Sequence, residues 1–83
     1  METRVRTDIR RYIVDHWLAG DERGFDDQTD LQENGILDSF STLAFIAFLD
    51  ETYEIQLDPA DVIAENFRTV ATVTGLVLEK LHK

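Results

Sequence analysis

The sequence predicts an all-α fold: a four-helix bundle with three longer helices, one short helix and a long ordered loop after the first helix. Three observations support this class. Apolar residues recur at helical spacing in three segments. Residues typical of helix N-termini (Asp38, Asp58-Pro59 and Thr69) stand before three of the predicted helices. No segment alternates apolar and polar residues convincingly, and the length predicts a single domain, residues 1–83.

The first predicted helix runs from about Thr3 to Ala19, with Thr3 as a candidate N-cap and Gly20 as the stop. Its apolar stripe consists of Val5, Ile9, Tyr12, Ile13 and Trp17. The polar connection that follows, 20–38, is longer than most loops in compact domains, unless such a loop is functional or pinned. We therefore expect an ordered loop, held by the apolar residues Phe25, Leu31, Ile36 and Leu37.

The second predicted helix covers Ser39–Tyr53, with Asp38 as its N-cap. A short extended link, 55–57, leads to a short helix from Asp58 to about Ala64, which we expect Val62 and Ile63 to bury. Thr69 caps the last helix, whose stripe consists of Val70, Val73, Val77 and Leu81.

Charge and composition narrow the function classes. The net charge is −9, and residues 24–67 contain no Lys or Arg, which argues against nucleic-acid binding. The uniformly negative charge of this segment would attract basic protein surfaces, although a need for solubility explains it equally well. The absence of cysteine excludes disulfides and thiolate metal sites. The first residues do not resemble a signal peptide, and the longest apolar run, 43–49, is too short to cross a bilayer, so we expect a cytoplasmic protein without a membrane span.

The second helix carries two apolar faces. Phe45, Ile46, Leu49 and Tyr53 share one side at 100° per residue and form an adequate core stripe. The opposite side, called here the docking face, consists of Phe40, Leu43, Ala44 and Ala47, with Asp50 and Glu51 toward its far end. A small bundle buries only one face of each helix, so the second face predicts a surface for another protein. The alternative is that the long loop folds over it.

Ser39 is the candidate functional residue, at the start of this helix and directly after Asp38. On local grounds such a serine is most often a helix-start residue chosen for hydrogen bonding. Catalysis is poorly supported, because a serine nucleophile needs a base, and the two histidines, His16 and His82, form no recognisable triad with it. An attachment point remains attractive: a phosphodiester on Ser39 would lie near free backbone N–H groups at the positive end of the helix dipole.

No metal site is predicted. The acidic stretch that begins at Asp26 lacks glycine at the sixth position of a calcium loop. Its twelfth position would be Leu37 instead of a bidentate glutamate. The stretch therefore does not fit the EF-hand pattern, and no catalytic residue is assigned.

The chain resembles the acyl carrier/peptidyl carrier protein superfamily over nearly its whole length. The resemblance is carried by the first amphipathic helix, Thr29-Asp30-Leu31, Gly35-Ile36-Leu37-Asp38-Ser39-Phe40, Phe48-Leu49-Asp50-Glu51-Thr52-Tyr53-Glu54-Ile55 and Asn66-Phe67-Arg68-Thr69-Val70. It implies that Ser39 receives 4′-phosphopantetheine from coenzyme A through a separate phosphopantetheinyl transferase. It also implies that Asp38 helps to position the transferase's metal, and that the chain is a substrate and shuttle, not an enzyme.

Departures from the family pattern bear on the pathway. Phe40 stands where most members have leucine, and Ala44 and Ala47 replace the glutamate and methionine typical of primary fatty acid synthesis. The resemblance therefore favours a standalone carrier of acyl or aminoacyl groups in specialised metabolism, loaded by a separate activating ligase and used by downstream biosynthetic enzymes. We expect a monomer, because a shuttle must visit several partners. The alternatives are a housekeeping carrier of fatty acid synthesis and, in another class, a helical interaction module without a cofactor.

Overall fold

The computed structural model describes residues 2–82 and confirms the all-α class. Its regular elements are α1 (Glu2–Trp17), α2 (Ser39–Tyr53) and α3 (Val70–Leu81), together with two 3₁₀ turns, Pro59–Asp61 and Ala64–Phe67. These described residues contain no strand, and none of their helices is long and apolar enough to cross a membrane.

Helix α1 ends earlier than predicted and starts without the predicted cap. Thr3 lies inside the helix, because Glu2 is already helical, so its prediction as N-cap was wrong. At the other end Ala19 and Gly20 adopt positive φ (52° and 83°), which stops the helix at Trp17. The Gly20 N–H donates to the Val14 carbonyl at 2.9 Å, and glycine tolerates this conformation without steric cost.

The core lies where the three helices meet. Helix α3 packs against α1 and α2, and α1 contacts α2 through stacked rings, with Tyr12 centred 4.1 Å from Phe48. The Tyr53 hydroxyl donates to Asp8 at 3.1 Å and ties the end of α2 to α1. The fully buried side chains are Val5, Ile9, Ile13, Leu31, Phe45, Leu49, Val70, Val73, Thr74 and Val77. The predicted stripes are thus confirmed, except that Trp17 is partly exposed.

The loop that joins α1 to α2 is ordered, as predicted. Phe25, Leu31 and Leu37 are buried and Ile36 is half-buried. The Leu31 N–H donates to the Arg68 carbonyl at 2.7 Å, which ties the loop to the segment before α3. Asp27 lies 2.8 Å from Arg10, so the acidic loop is also paired with a basic residue of α1. Apolar anchors and ion pairs together hold the loop across the helices.

The predicted short helix is replaced by the two 3₁₀ turns. Val62 breaks the first turn with ψ 70°, and it and Ile63 are 39% and 48% exposed, so the prediction that they are buried was wrong. The first turn contains no buried residue, and Lys80 holds it through an ion pair of 2.6 Å with Asp61. An ion pair, and not the burial of apolar side chains, therefore holds this turn in place.

Helix α2 begins as predicted, at a capping box formed by Asp38 and Ser41. Asp38 Oδ1 accepts the backbone N–H groups of Phe40 and Ser41, both at 2.9 Å. Ser41 Oγ in turn accepts the backbone N–H of Asp38 at 2.7 Å. The hydrogen bonds from Ser41 and Phe40 hold the pKa of the Asp38 carboxyl below its ordinary value, because they stabilise the charged form.

We expect Leu31→Ala to lower the free energy of unfolding by about 3 kcal/mol, because it removes a fully buried side chain that pins the loop. The matched control is Leu43→Ala, which truncates a leucine that is 67% exposed and should change stability by less than about 0.5 kcal/mol. Urea unfolding followed by circular dichroism measures both. Equal losses would contradict the assignment of Leu31 as the anchor.

The Asp38 cap predicts a pH dependence of stability. Because the folded-state pKa lies below the unfolded-state value, the cap's contribution is fully present above about pH 4 and is lost as pH falls through the folded-state pKa. Asp38→Ala should therefore be less stable than the parent chain at pH 7, and the gap should narrow below pH 3.8, the ordinary value for aspartate. A gap that stays constant from pH 7 to the acid limit would refute this account.

Candidate functional site

An open groove of about 410 Å³ runs between α2 and the 3₁₀ turns and begins at Ser39. Helix α2 contributes one stripe of residues spaced by three and four, which places them on a single side. The apolar lining consists of Leu37, Leu43, Ile46, Val62, Ile63, Ala64 and Phe67, and the polar lining of Gln32, Asp38, Ser39 and Thr42. The groove is therefore apolar along its length and polar at its Ser39 end.

Ser39 lies at this end with an exposed side chain, as the first residue of α2. Within residues 2–82 its hydroxyl makes no hydrogen bond, because Ser41, not Ser39, closes the capping box. The two serines thus have separate roles. Ser41 is buried and structural, whereas the Ser39 hydroxyl is left accessible.

Asp38 serves the helix with one carboxylate oxygen only. Its Oδ1 accepts the backbone N–H groups of Phe40 and Ser41 and lies 3.0 Å from Ser41 Oγ. Its Oδ2 has no hydrogen bond to any of the described residues. Asp38 can therefore cap α2 and still offer an anionic oxygen beside Ser39 to an approaching cation.

The helix start is a weaker anion site than the sequence suggested. Two of its N–H groups, those of Phe40 and Ser41, are already bonded to Asp38. In the described part of the chain the Ser39 N–H remains without a partner. The charge of Asp38 also offsets part of the helix dipole. The expectation of several free N–H groups around a phosphodiester was therefore wrong.

The docking face of α2 is open to solvent. Phe40 is 87% exposed and Leu43 is 67% exposed, and Ala44 and Ala47 are also exposed. The alternative that the long loop covers this face is wrong, because the loop anchors turn into the core instead. Among the residues near its far end, Glu51 is exposed and Asp50 is half-buried. This face is an uncharged apolar strip that ends in acidic residues.

The groove itself was not predicted from the sequence. Val62 and Ile63 were assigned to the core, yet they form its outer wall. Gln32 was not singled out, and its side-chain amide donates to the Ala64 carbonyl at 2.8 Å, which bridges the loop and that wall. The only available signal was a pair of large aliphatic residues in a segment rich in Asp and Ala, which local patterns do not distinguish from a buried turn.

The two histidines belong to other helices than Ser39. The ring of His16 stacks on Tyr12 on α1, and His82 is the C-cap of α3. Among residues 2–82, none of the histidines or carboxylates hydrogen-bonds Ser39. No group of three potential metal ligands occurs in the same part of the chain.

Comparisons with known proteins agree with this architecture. No model of a known protein family matches the chain. The chain is 30% identical over 66 residues to the protein described as "probable acyl carrier protein PigG" of Serratia sp. (strain ATCC 39006), which covers 80% of this chain and 76% of the relative. A solved chain from the "crystal structure of FAD-dependent dehydrogenase" superposes with a TM-score of 0.76 at 32% identity, over 83% of this chain and 97% of the solved one. The identity to PigG, 30% over 80% of this chain, shows that the protein belongs to the acyl carrier protein family.

Proposed function

We propose that the chain is a single carrier domain, residues 1–83, whose Ser39 receives 4′-phosphopantetheine. The observation that carries this proposal is the exposed Ser39 hydroxyl at the first position of α2 and at the mouth of the groove, which has no hydrogen bond to any residue that the structure describes. When bound, the group supplies a thiol that holds an acyl or aminoacyl cargo as a thioester. The residues fit it, because the groove offers an apolar path with polar side chains where the attachment begins.

The chain's own residues perform limited chemistry in this proposal. The Ser39 hydroxyl forms a bond to phosphorus and gives up its proton, while a phosphoanhydride bond of coenzyme A breaks and adenosine bisphosphate leaves. A base for that proton comes from the transferase, since no histidine or carboxylate of the described part contacts Ser39. Asp38 Oδ2 is free to bind the transferase's Mg²⁺. The protein is accordingly a substrate of its partners and not a catalyst.

The docking face supports a dedicated carrier in specialised metabolism. Residues 39–49 contain no ionisable side chain, and the exposed ones among them are mostly apolar. Recognition there rests on burial of Phe40 and Leu43, while the acidic residues at both ends of α2 steer a basic partner surface. The partners we propose are a transferase, an acyl- or aminoacyl-activating ligase and downstream enzymes, met in the cytoplasm by a monomeric carrier.

The structural comparison supports the proposal of one class of downstream partner. The solved chain that matches is no longer than this one, since 97% of it aligns with 83% of these residues. A domain of that size has too little core to enclose FAD. The matching chain comes from a crystal structure described as that of an FAD-dependent dehydrogenase. This origin supports a flavin-dependent dehydrogenase, acting on the thioester-bound cargo, as a partner of this chain.

We expect Ser39→Ala to abolish attachment of phosphopantetheine without loss of the helical fold, because the Ser39 hydroxyl makes no hydrogen bond among residues 2–82 and Ser41 closes the capping box. The measurement is intact mass after incubation with coenzyme A, Mg²⁺ and a broad-specificity transferase. The matched control is Ser41→Ala, two residues along, which weakens the capping box yet should still gain one arm. Normal modification of Ser39→Ala would refute the site. Absence of modification in the folded parent chain would favour the interaction module without a cofactor.

We expect Leu43→Glu combined with Ala47→Glu to reduce kcat/KM of the cognate activating ligase about thirtyfold or more, because losing one hot-spot contact costs about 2 kcal/mol or more and each step of about 1.4 kcal/mol is tenfold. Thr52→Glu is the control, since it adds charge to the opposite side of α2. Steady-state kinetics on the three carriers, each with the phosphopantetheine arm but without cargo, measures the effect. Unchanged kinetics for the double variant would contradict the docking face, and efficient use of the parent chain by fatty acid synthase enzymes would favour the housekeeping alternative.

A further inference from the structure

The outer wall of the groove belongs to a segment that buries none of its side chains. Residues 58–66, called here the wall segment, are exposed or half-buried throughout. They lie between Leu57, which packs against the core, and the buried Phe67. Val62 and Ile63 of this segment line the groove across from α2. Because apolar burial does not hold the wall segment, its polar contacts set its distance from α2 and with it the width of the groove.

Asp61 is the centre of those polar contacts. Its carboxylate accepts the backbone N–H of Asp58 at 2.9 Å and lies 2.6 Å from the ammonium of Lys80. Its backbone carbonyl accepts the side-chain amide of Asn66 at 2.8 Å and the backbone N–H of Ile63 at 3.0 Å. The position of Asp61 therefore determines the position of the wall segment on both sides of it.

Lys80 ties Asp61 to α3. Its side chain is only 10% exposed, and its ammonium lies 2.6 Å from Asp61 and 3.6 Å from Asp58. An ion pair so little exposed is only weakly screened by salt. Removal of the ammonium would take a cation away from two neighbouring carboxylates. Their mutual repulsion would then be less compensated, which favours displacement of the turn that carries them.

Neutral hydrogen bonds also reach the wall segment, from the Gln32 amide to the Ala64 carbonyl at 2.8 Å and from the Thr72 hydroxyl to the Asn66 carbonyl at 3.1 Å. Both lie in exposed positions, where water competes for the donor and the acceptor. Both also contact the half of the segment that is closer to its core anchor, Phe67. The ion pair from α3 is the contact that holds the other half.

We propose that Lys80 is a positioning residue for the groove: through Asp61 it holds the wall segment beside α2, and release of this ion pair lets the segment move away from α2 and widens the groove. None of the described residues of α3 lines the groove, so its width is controlled from outside it. The inference rests on the proposed function where it concerns the arm, because the width of the groove decides whether an arm on Ser39 is held in it.

The distance between the wall segment and α2 tests the positioning role. The chain contains no cysteine, so Ala44→Cys on α2 and Ala60→Cys in the wall segment, both at exposed positions, accept two spin labels selectively. Lys80→Met keeps the apolar stem of the side chain and removes its charge. In the full labelled chain without an arm, double electron–electron resonance should give a longer and broader distance distribution for Lys80→Met than for the chain that keeps Lys80.

Arg68→Met is the matched control. Arg68 also pairs with an aspartate, Asp30 at 3.7 Å, but that ion pair holds the loop and not the wall segment, so the distribution should stay unchanged. Lys80→Arg keeps the charge and offers N–H donors to the same carboxylates, so it should retain the parent distribution. The proposal would be overturned by an unchanged distribution in Lys80→Met, or by an equal change in Arg68→Met or in Lys80→Arg.

A second readout needs no substitution of Lys80. The chain contains two lysines, Lys80 and Lys83, so labelling with ¹⁵N-lysine gives two ammonium signals, and Lys83→Met identifies them. The Lys80 ammonium should exchange its protons slowly, because the ion pair holds it in a little-exposed position. Exchange as fast as that of free lysine would contradict the proposal.

The third measurement uses the chain that carries the arm. In the parent chain, the geminal methyl groups of 4′-phosphopantetheine should give nuclear Overhauser contacts to the Ile63 side chain, because both would lie in the groove. Lys80→Met should abolish these contacts and Lys80→Arg should keep them. Contacts that persist unchanged in Lys80→Met would overturn the link between the ion pair and the arm, as would their absence in a parent chain that has gained the arm.

The two levels of inference fail separately. The distance measurement needs no arm, so it tests Lys80 whether or not Ser39 is modified. If Ser39 gains no mass from coenzyme A, the proposed function fails. If Ser39 gains the arm and the distance does not depend on Lys80, only the positioning role fails.

Discussion

The capping box between Asp38 and Ser41 is the interaction on which the arrangement of the site depends. By accepting the N–H groups of Phe40 and Ser41, Asp38 sets the residue at which α2 begins, which makes Ser39 the first residue of the helix. A start one residue later would leave Ser39 in the preceding loop and not in the first turn of the helix. The box uses the Ser41 hydroxyl, so that the Ser39 hydroxyl has no hydrogen bond within the described part of the chain. The same short segment, 38–41, therefore contains both the helix cap and the candidate attachment point.

Helix α2 is apolar on almost every side, and the tertiary structure divides that surface among three uses. Phe45 and Leu49 enter the core. Ile46 and Leu43 line the groove, and Leu43 together with Phe40 also faces solvent. In an isolated domain such exposure is unfavourable, so we interpret it as a surface that is buried only in complexes. A carrier that visits several enzymes needs a face of this kind, and it must remain open between visits.

The outer wall of the groove is held by polar contacts at its edges and not by burial of its own side chains. Lys80 binds Asp61 at one end of the wall, and Gln32 binds the Ala64 carbonyl further along. Phe67, packed edge-on against Phe45, fixes the other end in the core. Between these anchors Val62 and Ile63 are free of the core, so an apolar surface remains available to a bound group. Burial of those two residues in the core, as the sequence suggested, would have removed the groove.

The sequence by itself determined the all-α class, the limits of α2, the caps at Asp38 and Thr69 and the anchors of the long loop, because these depend on local hydrogen bonding and on helical periodicity. It also singled out Ser39, through the residues that surround it. Only the tertiary structure decided whether the second face of α2 is covered and where Val62 and Ile63 lie. Those outcomes depend on contacts between residues far apart in the chain, such as Gln32 with Ala64 and Lys80 with Asp61. A local pattern carries no information about such contacts, since the same short acidic segment can form a buried helix or an exposed wall.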